Sequence, residues 1–193
     1  MSIPHHRPNQ RYTYQDYLSW TGDTRWELFE GVPHSMTPSP STVHQQISMS
    51  LSSAFYQYLK GKTCSVFAAP FDVRLVQEGE SEANSTTVVQ PDITIICDPN
   101  KLDAKGCLGS PDLLVEILSP STAKVDLITK RQLYEKFGVP VYWIIDPVNQ
   151  FVQVLERQKN GLYGTPTVYF AQDDLPVTIF DGFMIPLRDI FTT

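Results

Sequence analysis

Leu113-Leu114-Val115-Glu116-Ile117-Leu118 is apolar at both parities except for one acid. Such a run predicts a strand covered on both faces, as in sheets sandwiched between other layers. A carboxylate there is costly unless it is paired or holds a cation. A second isolated acid, Asp92, stands upstream in Val88-Val89-Gln90-Pro91-Asp92-Ile93-Thr94-Ile95-Ile96. Two carboxylates carried into a core by neighbouring strands suggest a metal site. That chemistry points to phosphate-ester hydrolysis more than to a binding module.

Downstream of Glu116, Ser119-Pro120-Ser121-Thr122 predicts a helix start, with a hydroxyl cap and an early proline. This second long helix should end near Gly138. Val141 to Asp146 reads as another buried strand, closed by Pro147. From Phe151 to about Phe180 apolar and polar residues alternate between turns, which predicts antiparallel strands extending the sheet.

Upstream, Asp98 to Ser110 and the acidic stretch Gln77 to Thr87 read as loops, and Val66 to Val76 as a strand. Thr42 to Lys60 predicts the first long helix, with Val43, Ile47, Leu51, Phe55 and Tyr58 as its apolar stripe. Pro38-Ser39-Pro40-Ser41 breaks the chain before it. Arg25 to Glu30, Gly31 and Val32 to Met36 read as a hairpin, and Thr13 to Leu18 as a short helix. Residues 1–11 read as a flexible tail and residues 12–193 as a single domain. The fold class is α/β, a mixed β-sheet flanked by helices with an antiparallel C-terminal extension.

Lys130 sharpens the chemistry. At about 100° per residue, Leu133, Phe137, Tyr134 and Leu127 span one arc of the second helix. Lys130 falls inside that arc and Asp126 near its side. A lysine on a core-facing stripe needs a carboxylate or gives up its charge, and the preceding strand supplies Glu116. Beside a metal-bound carboxylate pair, an ammonium could orient water and offset charge on phosphate oxygens. A stem reaching out to water is the bland alternative. A solvated face is that alternative for Asp92, which lies opposite Val89, Ile93 and Ile95 by parity. For Glu116 it is a structural ion pair.

Glu27 lies opposite Trp26 and Leu28 and is either a third acid of the site or simply exposed. His44, in the first turn of the first helix, is either a core histidine or a phosphate contact at a helix start. His5-His6 in the tail reads as part of a disordered end.

The chain has 193 residues, 41% of them hydrophobic, enough for one well-buried domain. Its net charge of -6 repels a phosphate polymer overall, so a nucleic-acid role needs a local basic face. Candidates for that face are Lys60, Lys62, Arg74, Lys124 and Arg131. Cys64, Cys97 and Cys107 lack C-x-x-C spacing and read as free thiols in a reducing compartment. No apolar run reaches the length of a membrane span, and a cytoplasmic location is expected. Phosphate-binding glycine loops, H-E-x-x-H and G-x-S-x-G are absent from the sequence.

Several segments resemble a known family. They are Trp26-Glu27-Leu28-Phe29-Glu30-Gly31, Ser39-Pro40-Ser41-Thr42-Val43-His44, Val89-Gln90-Pro91-Asp92, Pro111-Asp112 through Thr122, Asp126 with Lys130 and Tyr134, and Gly138-Val139-Pro140-Val141-Tyr142-Trp143. Their order resembles the core of the PD-(D/E)XK nuclease superfamily, the restriction-endonuclease-like fold. More closely, they resemble the Uma-type family of restriction endonucleases, over nearly the whole chain. The resemblance implies Asp92 and Glu116 as Mg²⁺ or Mn²⁺ ligands and DNA as the substrate. It departs from the superfamily in one place: Leu118 stands where a lysine is demanded, and the amine moves to Lys130. By analogy with nucleases that cut two strands, a homodimer is expected. Two other readings stay open: an inactive interaction protein that keeps the fold, and hydrolysis of a small phosphorylated metabolite.

Overall fold

The computed structural model describes residues 10–36, 40–77 and 79–192. Along the chain come α1 (Tyr14–Tyr17), β1 (Trp26–Phe29), β2 (Val32–Ser35), α2 (Thr42–Leu59), β3 (Ser65–Ala68) and β4 (Val73–Arg74). Then follow β5 (Val88–Val89), β6 (Ile93–Ile96), β7 (Leu102–Asp103), β8 (Gly106–Leu108) and β9 (Leu113–Ile117). A π turn (Val125–Lys130) runs straight into α3 (Arg131–Lys136). The chain closes with β10 (Val141–Asp146), β11 (Phe151–Glu156), β12 (Thr167–Phe170), β13 (Asp174–Pro176) and β14 (Met184–Pro186). The histidines of the tail, His5 and His6, lie outside the described residues, as do most of that tail and Pro38-Ser39.

The central sheet has the order β12-β11-β10-β9-β6-β3. Its β9 and β10 run parallel, and the remaining pairs are antiparallel. β9 lies in the middle and is buried at every position, as the apolar run at both parities requires. On one face Leu113, Val115 and Ile117 pack against Ile47, Leu51 and Phe55 of α2. On the other, Leu114 packs with Leu133, Tyr134 and Tyr142. The alternating C-terminal segment supplies β11 and β12 as an antiparallel extension. Its last hairpin, β13–β14, is a separate ribbon that adds Leu175 and Ile185 to the α2 side of the core.

The second sheet has the order β2-β1-β5-β4-β8-β7. Its hairpin β1–β2 turns at Glu30 and Gly31, both at positive φ (47° and 82°), which suits the right-handed twist of the arms. Part of the stretch expected as a loop, Asp98 to Ser110, folds into β7 and β8.

Two expected strands are each broken in two. Val66 to Val76 divides at Ala69-Pro70 into β3 and β4, and Val88 to Ile96 divides at Pro91 into β5 and β6. In each case the halves join different sheets. Proline has no N–H to donate to a ladder, so each strand leaves one sheet and enters the other there. The Ala69 amide donates to the Asp92 carbonyl oxygen at 3.0 Å and ties the two crossings together. Asp92 therefore sits at a crossover between sheets, where parity counted along one strand no longer applies.

The expectation of three free thiols is corrected. Cys64 and Cys97 form a disulfide, while Cys107 is free and buried. The antiparallel register that pairs Ser65 with Ile96 places these two cysteines opposite one another just beyond it. Cysteine usage therefore no longer argues for a reducing compartment. Among the described residues, no helix is long and apolar enough to cross a membrane.

Candidate active site

Glu116 points from the middle of β9 towards the face packed by Tyr134 and Tyr142. Its Oε1 accepts from Lys130 Nζ at 2.9 Å and from the Tyr134 hydroxyl at 2.7 Å. Lys130 comes from the last residue of the π turn. Asp126, four residues earlier, lies on the same side of the helix: its Oδ1 is 3.7 Å from Nζ. Glu27, from β1 of the other sheet, completes the cluster with Oε1 2.9 Å from Nζ. The Gln90 amide, at the break beside Pro91, donates to the same Glu27 oxygen at 2.8 Å. Glu27, Glu116, Asp126 and Lys130 are all buried. Lys130 therefore neither reaches out to water nor gives up its charge.

Asp92 and His44 form the adjoining part. Asp92 Oδ2 accepts from the Ile117 amide at 2.7 Å and lies 3.2 Å from His44 Nε2. Ser41 caps α2 by accepting from the His44 amide at 3.2 Å, which fixes the first turn and the imidazole on it. His44 Nδ1 is buried without a partner among the described residues.

Four carboxylates thus crowd one lysine and one histidine. Burial pushes the Glu116 carboxyl well above its ordinary range, with Lys130 pulling it down and Asp126, Asp92 and Glu27 adding to the rise. Burial likewise raises Asp126. For Lys130, burial alone would favour the neutral amine, but Glu116, Glu27 and Asp126 outweigh it and hold the group firmly charged. His44 follows the same logic: burial lowers it, and the bond to Asp92 turns the balance upwards. The surplus of acid calls for extra positive charge, whether as protons or as a cation.

All five candidates read from the sequence, Glu27, His44, Asp92, Glu116 and Lys130, line one cleft of about 740 Å³. The start of α2 opens onto it through Ser41, His44 and Gln45. Among the described residues, the protein's own hydrogen bonds to this pair fall on Glu116 Oε1 and Asp92 Oδ2. Among the described residues, no group of three or more His, Cys, Asp and Glu is arranged to hold a metal ion. Such a donor set does not make a zinc-type cage. It suits an ion such as Mg²⁺, which uses one or two carboxylates and keeps water or substrate oxygens on its other positions.

Among the described residues, the five cations expected to form a basic face do not gather at the cleft. Arg74 is fully buried and paired with Glu82 at 2.5 Å and Asp103 at 2.7 Å, where it closes the acidic loop over β4. Lys60 and Lys62 lie at the far end of α2, some 25 Å along the helix at about 1.5 Å per residue, and Lys62 sits over the Tyr58 ring. Lys124 is exposed near the cleft and Arg131 is half-buried. Two contributors named in the sequence were not read there as site residues. Tyr134 gave a signal, a hydroxyl on the stripe one turn beyond Lys130. Gln90 gave one in hindsight, a polar residue before a strand-breaking proline.

Over residues 14–188 the chain matches the family model Uma2, described as "Putative restriction endonuclease". The chain belongs to the Uma2 family. It is 30% identical over 129 residues to the uncharacterized protein slr1290 of Synechocystis sp.; the match takes in 66% of this chain and 64% of that relative's length. It also shares its fold with the crystal structure of a nuclease of Anabaena variabilis, described as "putative" and assigned to DUF820. The TM-score is 0.74 at 22% identity, covering 93% of this chain and 97% of the other. In this Uma2 chain the position two residues after Glu116 is Leu118, and the amine beside the carboxylate comes from the following helix.

Proposed function

We propose that this Uma2 protein is a Mg²⁺- or Mn²⁺-dependent nuclease that hydrolyses phosphodiester bonds in DNA, with Asp92 and Glu116 as the cation's protein ligands. The observation that carries this reading is the 2.9 Å contact of Lys130 with Glu116 in a cleft that Asp92 also lines. A divalent ion held there would polarise a phosphate oxygen and make water a better nucleophile.

The chain's own residues do the rest. Lys130 holds its charge because Glu116, Glu27 and Asp126 flank it. It can therefore orient water and stabilise charge building on the phosphate. Tyr134 holds Glu116 Oε1, and the carboxylate's other oxygen would be the one to meet the cation. The Ile117 amide and His44 do the same for Asp92. A homodimer with two such sites belongs to the same proposal, with the exposed edge strand β12 as its contact.

The test is Mg²⁺-dependent cleavage of plasmid and single-stranded DNA by wild type, Glu116→Ala and Lys130→Ala, with folding checked by circular dichroism. Both variants should lose at least 100-fold in rate. Cleavage that persists in both rules the assignment out.

One observation favours a second reading, an interaction protein without chemistry. Lys130 is already bonded to Glu27 and Glu116, as a structural ion-pair network would be. Calorimetric titration with Mn²⁺ separates the two, since absence of binding by wild type favours this alternative.

A further inference from the structure

We infer that the cleft takes a single nucleic-acid strand, not a duplex, and that Arg25 is the residue that grips its phosphate. The choice of ligand rests on the nuclease reading above; the choice of one strand rests on the walls of the cleft.

Arg25 precedes β1 and lines the cleft. Its Nε and Nη2 donate to Gln90 Oε1 at 3.0 and 2.6 Å. Gln90 is neutral, so this fork of bonds fixes the guanidinium without cancelling its charge. Gln90 is itself held on its other side: its Nε2 donates to Asp72 Oδ1 at 2.8 Å and to the Tyr17 hydroxyl at 3.1 Å. Among the described residues no carboxylate comes within ion-pair distance of Arg25. Asp72, on the far side of Gln90, feels the Arg25 charge without bonding to it, so this exposed, oriented guanidinium keeps its remaining N–H groups for a ligand, and arginine's planar fork matches phosphate oxygens.

Among the described residues, the only other lysine or arginine lining the cleft is Lys130, which sits among three acids at the proposed cation site. Lys124 is exposed one residue from the lining Val125. Beyond the phosphate that would meet the proposed divalent ion and Lys130, Arg25 and Lys124 can neutralise one or two more. A duplex presents a charge about every 1.7 Å, and proteins that bind it commonly engage six to ten phosphates. The acids of this cleft would repel the rest.

The remaining lining is what an unstacked strand would use. Met36, Met49 and Pro120 give apolar surface for a base, and Ser48 and Ser121 give hydroxyls for sugar and phosphate oxygens. A volume of about 740 Å³ is of small-ligand size. Bases paired and stacked inside a duplex could not reach such a wall.

The test uses the full chain and fluorescence anisotropy, with Ca²⁺ replacing Mg²⁺. The probes are a labelled eight-nucleotide deoxythymidine strand and an eight-base-pair duplex, over a salt series. The single strand should bind at least ten-fold tighter than the duplex. Its log–log salt slope should be about -1.4, from roughly 0.7 per phosphate for two phosphates. Arg25→Gln should weaken binding at least ten-fold and bring the slope to about -0.7, and Arg25→Lys should recover part of the affinity. Duplex binding as tight as the strand's, no strand binding, or unchanged affinity in Arg25→Gln would each overturn the inference. Strand binding without any Mg²⁺-dependent cleavage would instead sink the nuclease reading and leave the role of Arg25 standing.

Discussion

Lys130 Nζ lies 2.9 Å from Glu116 Oε1, across a chain separation of 14 residues. The strand puts the acid in place, the π turn brings the amine back, and Glu27 reaches the same ammonium from the second sheet. The cluster therefore joins three elements, and disturbing it should affect both stability and chemistry.

Lys130→Met should strand three buried acids. Removing one partner of a buried pair typically costs about 3–5 kcal/mol. Urea unfolding at pH 7 should show a loss of that order. The double variant Lys130→Met with Glu116→Gln should lose less than Lys130→Met alone, because one stranded charge is gone. A double-variant loss equal to the sum of the losses in Lys130→Met and Glu116→Gln measured singly would mean that the two residues are not coupled.

Stability should also fall as pH rises above the ordinary carboxylate range. Glu116 and Asp126 both sit above their usual values of 4.5 and 3.8 in the folded state. Between those values and the raised ones, the folded state binds more protons than the unfolded state. Their contribution is complete at low pH and is lost as pH climbs through the raised values. Glu82 and Asp103 are shifted the other way and matter only below that window. Lys130, raised above 10.5, adds no slope near neutrality. In chelator, Tm should be lower at pH 8 than at pH 5.5, and Glu116→Gln should flatten the difference. A Tm that rises over this range contradicts the charge balance described.

Arg74 makes a contrasting case. It is fully buried, donates to the Cys107 carbonyl oxygen at 3.1 Å and pairs with Glu82 and Asp103. Arg74→Met should cost about 2–4 kcal/mol, less than a fully enclosed pair because both partners reach water. Below its lowered Tm, the variant should cleave at the wild-type rate. A large fall in kcat with stability unchanged would give Arg74 a role in the site.

How much of this could be read beforehand depended on where the chain stays regular. Glu116 and Lys130 were legible because a charge on a buried strand or an inward helix stripe stands out against its neighbours. Asp92 was legible as an isolated acid, but its direction was not, since Pro91 turns the chain between two sheets and ends the parity count. The Cys64–Cys97 pairing depends on a register between strands more than 20 residues apart in sequence, which no local pattern reveals. Arg74 looked like a surface cation because nothing in its own segment shows that Glu82 and Asp103 fold over it. Arg25 passed unnoticed for a related reason: its significance lies in having a neutral partner, which only the three-dimensional contacts display.

The most direct measurement is a crystal structure of the protein soaked in Mn²⁺, read by anomalous scattering. One ion should be held by Asp92 and Glu116, in the cleft that Lys130 also lines. A soaked crystal with no ion at that position, or with manganese bound only elsewhere, would contradict the account.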